Sequence, residues 1–283
     1  MDKLKLLAIV GPTASGKTGL AINLAKKYNG AIISADSRTV YKGLDIGTAK
    51  PSIEQRQGIR HYGFDLVNPD QSFSVAAFID YAKIKINEIS QQGKIPILVG
   101  GSGLYIDALL YDFKMPRPNA ELRSKLQSLS NEQLIEAITK KKLPMPNNKK
   151  NKLHLVSTLE RNGQLPSRSN KLPIGYHIIG LNPKREALTA NIETRAQLMV
   201  DAGVVAEAKN LFLKYGKRCT PLQTGIYKAL LPYLEQQEPL GMCLANVVRS
   251  DKNLAKRQIT WFKRNKDIVW YENADQAMKD NSF

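Results

Sequence analysis

A chain of 283 residues can bury a large core, as one domain with an insertion or as two modest domains. Its 42% apolar content is ordinary for a globular protein, while 42 Lys+Arg against 25 Asp+Glu leave a formal charge of +17 that points to a polyanionic partner, nucleic acid before an anionic membrane. Cys219 and Cys243 make neither a disulfide framework nor a metal-ligand pattern, no apolar run approaches ~18 residues, and the N-terminus enters a strand-like run without a signal peptide, all of which favours a reducing cytosol.

The run LKLLAIV at 4–10 is β-rich and ends at Gly11, as a buried strand does. A helix follows at 18–28, with Leu20, Leu24, Ala25 and Tyr28 on one face and Gly30 as its stop. A short strand at 31–34, a helix at 73–89 with Ser72 and Ser74 as caps, a buried strand at 95–99 and a helix at 104–110 complete an alternating pattern. Such alternation predicts an α/β fold, a parallel sheet flanked by helices. From Pro116 the pattern turns helical, over 120–139 and 151–161, with a Lys-, Asn- and Pro-rich stretch between. Residues 140–171 hold nine Lys+Arg and one acid, Glu160, so 116–171 reads as a small basic helical insertion between core segments 1–115 and 172–283. A strand at 174–181 rejoins the sheet, and amphipathic helices follow over 184–215, 224–235 and 242–265. His61, His154 and His177 are scattered and read as structural or exposed.

Gly11-Pro12-Thr13-Ala14-Ser15-Gly16-Lys17-Thr18 matches G-x-x-x-x-G-K-[ST] between a predicted strand and a predicted helix, the context that motif requires. Loop amides and the helix N-terminus attract phosphate oxygens, Lys17 adds a full charge, and the Thr18 hydroxyl suits Mg²⁺. A diphosphate or triphosphate ligand follows, nucleotide or not. Asp36 comes after the second strand, where ligands of open α/β sheets gather. It reads as a Mg²⁺ carboxylate, a general base or a structural turn residue, and the pattern alone does not choose.

Five segments occur in order: GPTASGKT, SADSRTVYKGLDIGTAKPS, HYGFDLVNPDQSFSVAAF, IPILVGGSGLY and LAKRQITWFKR. Together they resemble the tRNA dimethylallyltransferase family from about residue 5 to about 271, most weakly over 114–172. The resemblance implies a P-loop NTPase-like core whose loop, residues 11–18, holds the diphosphate of dimethylallyl diphosphate with Mg²⁺. It implies attack on the allylic carbon by the exocyclic amine of the adenosine 3′ of the anticodon. It further implies Asp36 as general base, Lys17 as a catalytic cation, and Ser37, Arg38, Thr39, Ser102 and Arg123 as tRNA contacts. Lys256, Arg257, Lys263 and Arg264 can hold RNA phosphates. The expected partners are tRNA, through its anticodon arm, and dimethylallyl diphosphate, for a monomeric, cytoplasmic chain without a membrane.

The chain departs from its relatives in the insertion. Where they carry an arginine-rich segment, 152–160 reads KLHLVSTLE, with Ser157 and apolar neighbours in place of arginines. Lys149, Lys150 and Lys152 are the candidate substitutes, as point charges and not bidentate forks. Competing readings are prenylation of a free adenine nucleotide, a P-loop small-molecule kinase, and a weakly active RNA-binding paralogue.

Overall fold

A computed structural model describes residues 5–114, 120–164, 167, 169–217 and 219–280. The chain divides into two compact units, Met1–Leu110 with Lys171–Phe283, and Tyr111–Asn170. The expected boundary at 115/116 lies outside the described residues.

In the larger unit the chain runs β1 (Leu6–Val10), α1 (Lys17–Lys27), β2 (Gly30–Ser34), β3 (His61–Tyr62), α2 (Val75–Gln91), β4 (Ile95–Gly100) and α3 (Gly103–Leu110). The smaller unit contributes α4 (Ala120–Ser128), α5 (Asn131–Lys140) and α6 (Lys152–Glu160). The larger unit resumes with β5 (Tyr176–Leu181), α7 (Arg185–Asp201), α8 (Val204–Tyr215), a 3-10 turn at Thr220–Gln223, α9 (Gly225–Leu234), α10 (Leu240–Phe262), β6 (Ile268–Tyr271) and α11 (Ala274–Lys279). The six strands form one sheet in the order β3-β2-β4-β1-β5-β6, and every pair is parallel. The expected α/β sheet core is therefore present.

β1 is buried along its whole length between β4 and β5, with Val10 opposite both Gly100 and Gly180. Parallel strands covered on both faces need continuous apolar runs, which is why LLAIV and IPILV were readable. Leu7 and Ile9 pack with Leu20 and Leu24 of α1 and with Ala277 of α11. Across the larger unit, Phe78 of α2 stacks on Tyr105 of α3 at 4.4 Å. A second apolar cluster joins Val40, Tyr41 and Leu44 to α7, α8, α9 and α10. Because the chain runs from β4 on one side of β1 to β5 on the other, the crevice beyond the carboxyl end of β1 is where such sheets take ligands.

Two expected helices are each broken in two. In 120–139 the break falls at Leu129–Ser130, where Ser130 Oγ accepts from the Gln133 amide (3.3 Å) and Gln133 Oε1 accepts from the Ser130 amide (2.8 Å). That reciprocal cap restarts the chain as α5. In 184–215 the break falls at Ala202–Gly203, where Gly203 adopts φ +96°, a conformation that side chains disfavour. The strands β3 and β6 were missed, being two and four residues long.

In the smaller unit Leu126, Leu134, Ile138, Leu155, Val156 and Leu159 form a core of their own. Its ends meet where Lys114 bridges Ser167 and the Ser169 amide donates to Tyr111 O (2.7 Å). Among the described residues no helix is long and apolar enough to cross a membrane.

Candidate active site

The loop between β1 and α1 is braced from two helices. The Thr13 amide donates to Gln258 Oε1 of α10 (2.8 Å), and Thr13 Oγ1 accepts from Arg195 Nη1 of α7. Asn191 Nδ2 donates to Ala14 O (3.1 Å). The Lys17 ammonium donates to Pro12 O and lies 3.4 Å from Ser15 Oγ. Pro12 has no amide and the Thr13 amide is already engaged, so the anion donors are drawn from the amides that open α1. There the helix dipole adds its positive end.

Six charged side chains line one cavity of about 630 Å³: Lys17, Arg38, Arg195, Arg257, Asp36 and Asp251. Burial lowers the Lys17 pKa to about 7, the Arg195 guanidinium adds to that fall, and the Asp36 carboxylate opposes it. Burial likewise pushes Asp251 upward, against the pull of Arg195. Only the ammonium form of Lys17 attracts an anion, and a bound diphosphate raises its pKa. The share of diphosphate affinity that depends on the Lys17 ammonium should therefore be present below about pH 7 and be lost as pH rises through that value. Calorimetry at about pH 8 in buffers of different ionisation heat should register more proton uptake on binding in wild type than in Lys17→Ala, a difference from which diphosphate's own titration cancels. Equal proton exchange in the two proteins would contradict this.

Asp36 follows β2, and its Oδ1 accepts from the Arg38 amide (2.7 Å). The Ser37 amide donates to Ser102 Oγ (3.1 Å), tying this loop to the β4–α3 turn. Asp36, Ser37, Arg38, Ser102 and Arg257 all line the cavity. Thr39 lines it too but is only 5% exposed: its hydroxyl meets Ser34 Oγ (3.0 Å) and donates to Asp36 O (3.3 Å), so it holds the loop together. Thr18 is exposed at the start of α1 and lines the cavity. Lys256 is exposed on α10. Arg123, in the smaller unit, pairs with Glu160 Oε2 (3.3 Å), whose side chain is 6% exposed. Among the described residues no three His, Cys, Asp or Glu side chains gather as a metal-ligating group.

Sequence reasoning missed Arg195, Asp251 and Gln258, single polar residues on long amphipathic helices. Gln258 lies inside the quoted segment LAKRQITWFKR but carried no role there. His61 also lines the cavity, with Nδ1 at 2.8 Å from Ile59 O and its ring stacked on Phe64, and burial holds its pKa below the usual value.

The segment DIGTAKP, whose Gly47, Thr48, Ala49 and Pro51 line the cavity, is held in place by Glu207 and Lys50. Glu207 of α8 accepts from the amides of Asp45 (2.8 Å), Ile46 (2.9 Å) and Gly47 (3.0 Å), and from the Tyr227 hydroxyl (2.5 Å). Burial and then that carboxylate push the Tyr227 phenol well above its usual range. The Lys50 side chain, 3% exposed, donates to Tyr41 O, Asp45 Oδ1 and Asp65 Oδ1. Glu207→Ala should strip three amides of their charged acceptor and cost about 2–3 kcal/mol. A urea titration should show a lower midpoint at an unchanged slope, and an unshifted midpoint would refute the bracing role.

A family model described as IPP transferase matches residues 39–265. A tRNA dimethylallyltransferase of Macrococcus caseolyticus is 37% identical, covering 99% of this chain and 94% of its own length. One of Bacillus anthracis is 35% identical, covering 97% and 93%. The crystal structure of a tRNA isopentenylpyrophosphate transferase from Bacillus halodurans superposes with a TM-score of 0.72 at 35% identity, covering 96% of this chain and 90% of that one. A eukaryotic dimethylallyltransferase, described as acting on tRNA, superposes with a TM-score of 0.78 at 25% identity, covering 99% and 76%. With relatives above 30% identity along nearly its full length, and with the phosphate loop and Asp36 on one cavity, this chain belongs to the IPP transferase family.

Proposed function

We propose that the protein is a tRNA dimethylallyltransferase, moving a dimethylallyl group from dimethylallyl diphosphate to the exocyclic amine of the adenosine 3′ of the anticodon and releasing diphosphate. The observation that carries this reading is the shared cavity, whose lining includes both the anion cradle at Lys17 and the Asp36 carboxylate. The allylic C–O bond breaks as its electron pair leaves with the diphosphate, the amine nitrogen bonds to the carbon, and the amine proton passes to Asp36. Lys17, Arg195 and the amides opening α1 stabilise the departing charge by preorganised electrostatics. Ile32, Phe64 and Val99 give the cavity an apolar wall that keeps water from the allylic carbon.

A magnesium ion fits a donor set of this kind only together with its substrate. The Thr18 hydroxyl would hold it jointly with diphosphate oxygens, and bound there it would neutralise part of the leaving group's charge. Ser37, Arg38, Ser102, Lys256 and Arg257 serve the RNA, whose target base must leave the anticodon stack to enter the cavity. The chain works as a monomer in the cytosol, where its polyanionic substrate is found. Labelled dimethylallyl diphosphate offered with bulk tRNA, ATP or AMP in separate reactions tests the reading: label in tRNA supports it, and label in a nucleotide or in neither overturns it.

The insertion carries the remaining RNA contacts as phosphate neutralisers. Lys149 and Lys150 are exposed, and Lys152 opens α6 behind the Asn151 cap. Changing all three to Ala should lower tRNA affinity and reduce the slope of log affinity against log salt by roughly 2. The ranking among tRNAs sharing the target adenosine should hold, because phosphate contacts carry no base information. Equal affinities with parallel salt slopes would show that the cluster does not touch RNA.

A further inference from the structure

We infer that Gln258 is a positioning residue for the transfer, setting the spacing between the phosphate cradle and the Asp36 carboxylate. The inference rests on the transfer reaction proposed above. Both ends of the Gln258 amide are used. Oε1 accepts from the Thr13 amide (2.8 Å), and Nε2 donates to Gly101 O (3.0 Å). The ladder between β1 and β4 ends at the pair Val10–Gly100, so the two loops beyond it are not held to each other by sheet hydrogen bonds. Gln258 spans that gap from α10, on the lining of the cavity.

From Gly101 the connection continues toward the base. The next residue, Ser102, accepts the Ser37 amide on its Oγ (3.1 Å), and its own amide reaches Ala35 O (3.4 Å). Asp36 lies between Ala35 and Ser37. A path of hydrogen bonds thus runs from Thr13 through Gln258 to the β4–α3 turn, and from there to both neighbours of Asp36. One turn further along α10, Trp261 Nε1 donates to Asp107 Oδ2 of α3 (2.8 Å), which ties α10 to the helix that follows the turn. Gly101 fits this arrangement because a Cβ there would sit 2.2 Å from Gln258 Nε2.

Gln258 contributes no charge to the leaving group and accepts no proton. Its loss leaves the amides opening α1, Lys17, Arg195 and the RNA-facing side chains in place. The expected signature is a fall in kcat with little change in either KM, since misplacing reacting groups by a fraction of an ångström to an ångström costs rate more than binding. Gln258→Ala should lower kcat roughly 10–100-fold. KM for dimethylallyl diphosphate and for tRNA should stay within about threefold, since the groups assigned to bind them remain. Gln258→Glu keeps the acceptor for Thr13 but sets a carboxylate against Gly101 O, and should lose at least as much kcat.

Gly101→Ala attacks the same bridge from the other side. It displaces the Gln258 amide in the wild-type background, yet with Gln258→Ala already present the nearest atom left to its Cβ is Gly11 O, at an ordinary 3.5 Å. The double variant should therefore match Gln258→Ala in kcat, whereas independent effects would multiply. Amide exchange at Thr13 should quicken in Gln258→Ala whatever the activity.

Steady-state kinetics on wild type, both single variants and the double variant decide the matter. Wild-type kcat for Gln258→Ala, multiplicative losses in the double variant, or a joint loss of kcat, both affinities and thermal stability would each overturn the inference. If the wild type itself transfers no label to tRNA, the proposed function fails and the inference falls with it. That outcome is told apart by the wild-type control alone.

Discussion

Replacing Lys17 by alanine should cut prenyl transfer roughly 10³-fold, since one preorganised donor to a developing anion is worth 10²–10³ and this one carries a full charge. The ammonium hangs over the loop from its bonds to Pro12 O and Ser15 Oγ, in the position from which it can swing to phosphate oxygens. Affinity for tRNA, read by gel shift, should stay within about twofold, because RNA phosphates are neutralised by exposed cations elsewhere. A gel shift abolished by Lys17→Ala would contradict that division of labour. A second consequence follows from the pKa of about 7. The kcat/KM for the diphosphate substrate reports the free protein, needs the ammonium form, and so falls as pH rises through about 7. In Lys17→Ala that alkaline fall should vanish, leaving a low and flat profile above neutrality.

The elements that organise this site announce themselves in the sequence where burial is one-dimensional. β1 and β4 are apolar throughout because helices cover both faces, and the phosphate loop stands between a strand and a helix whose periods differ. What stays hidden is contact between distant segments. Thr13 and Gln258 are 245 positions apart, and Thr13 and Arg195 are 182 apart. Nothing in an amphipathic helix marks which polar residue turns inward at its one close approach. The departure at 152–160 was visible but its cause was not. Leu155 and Val156, where the resemblance implies arginines, are fully buried in the small unit's core beside Leu126, Leu134, Ile138 and Leu159, so their apolar character serves packing. Helix breaks at Ser130 and Gly203 were legible in principle. The cap pattern Ser130-x-x-Gln133 and a lone glycine between two apolar stripes were outweighed by the continuous helical period around them.

Asp36→Asn should slow transfer by about 10²-fold or more, the range for losing a general base. The substitution is chosen for what it keeps. An asparagine carbonyl can still accept from the Arg38 amide, as Asp36 Oδ1 does at 2.7 Å, so the loop that presents Ser37 and Arg38 retains its shape. The proton acceptor alone is removed. A side effect must be separated from it, because the Asp36 charge also raises the Lys17 pKa. Without that charge Lys17 drops below about 7, and diphosphate binding weakens at neutral pH for a reason unrelated to base catalysis. Below the lowered value the ammonium is restored. Comparing variant and wild type at pH 6 and pH 8, over dimethylallyl diphosphate concentrations that reach saturation, therefore divides the two effects. The deficit in KM for the diphosphate should shrink at pH 6, whereas the deficit in kcat should persist at both. Near-wild-type kcat at pH 6, with tRNA bound normally, would remove Asp36 from the chemistry and leave it only the turn that it caps.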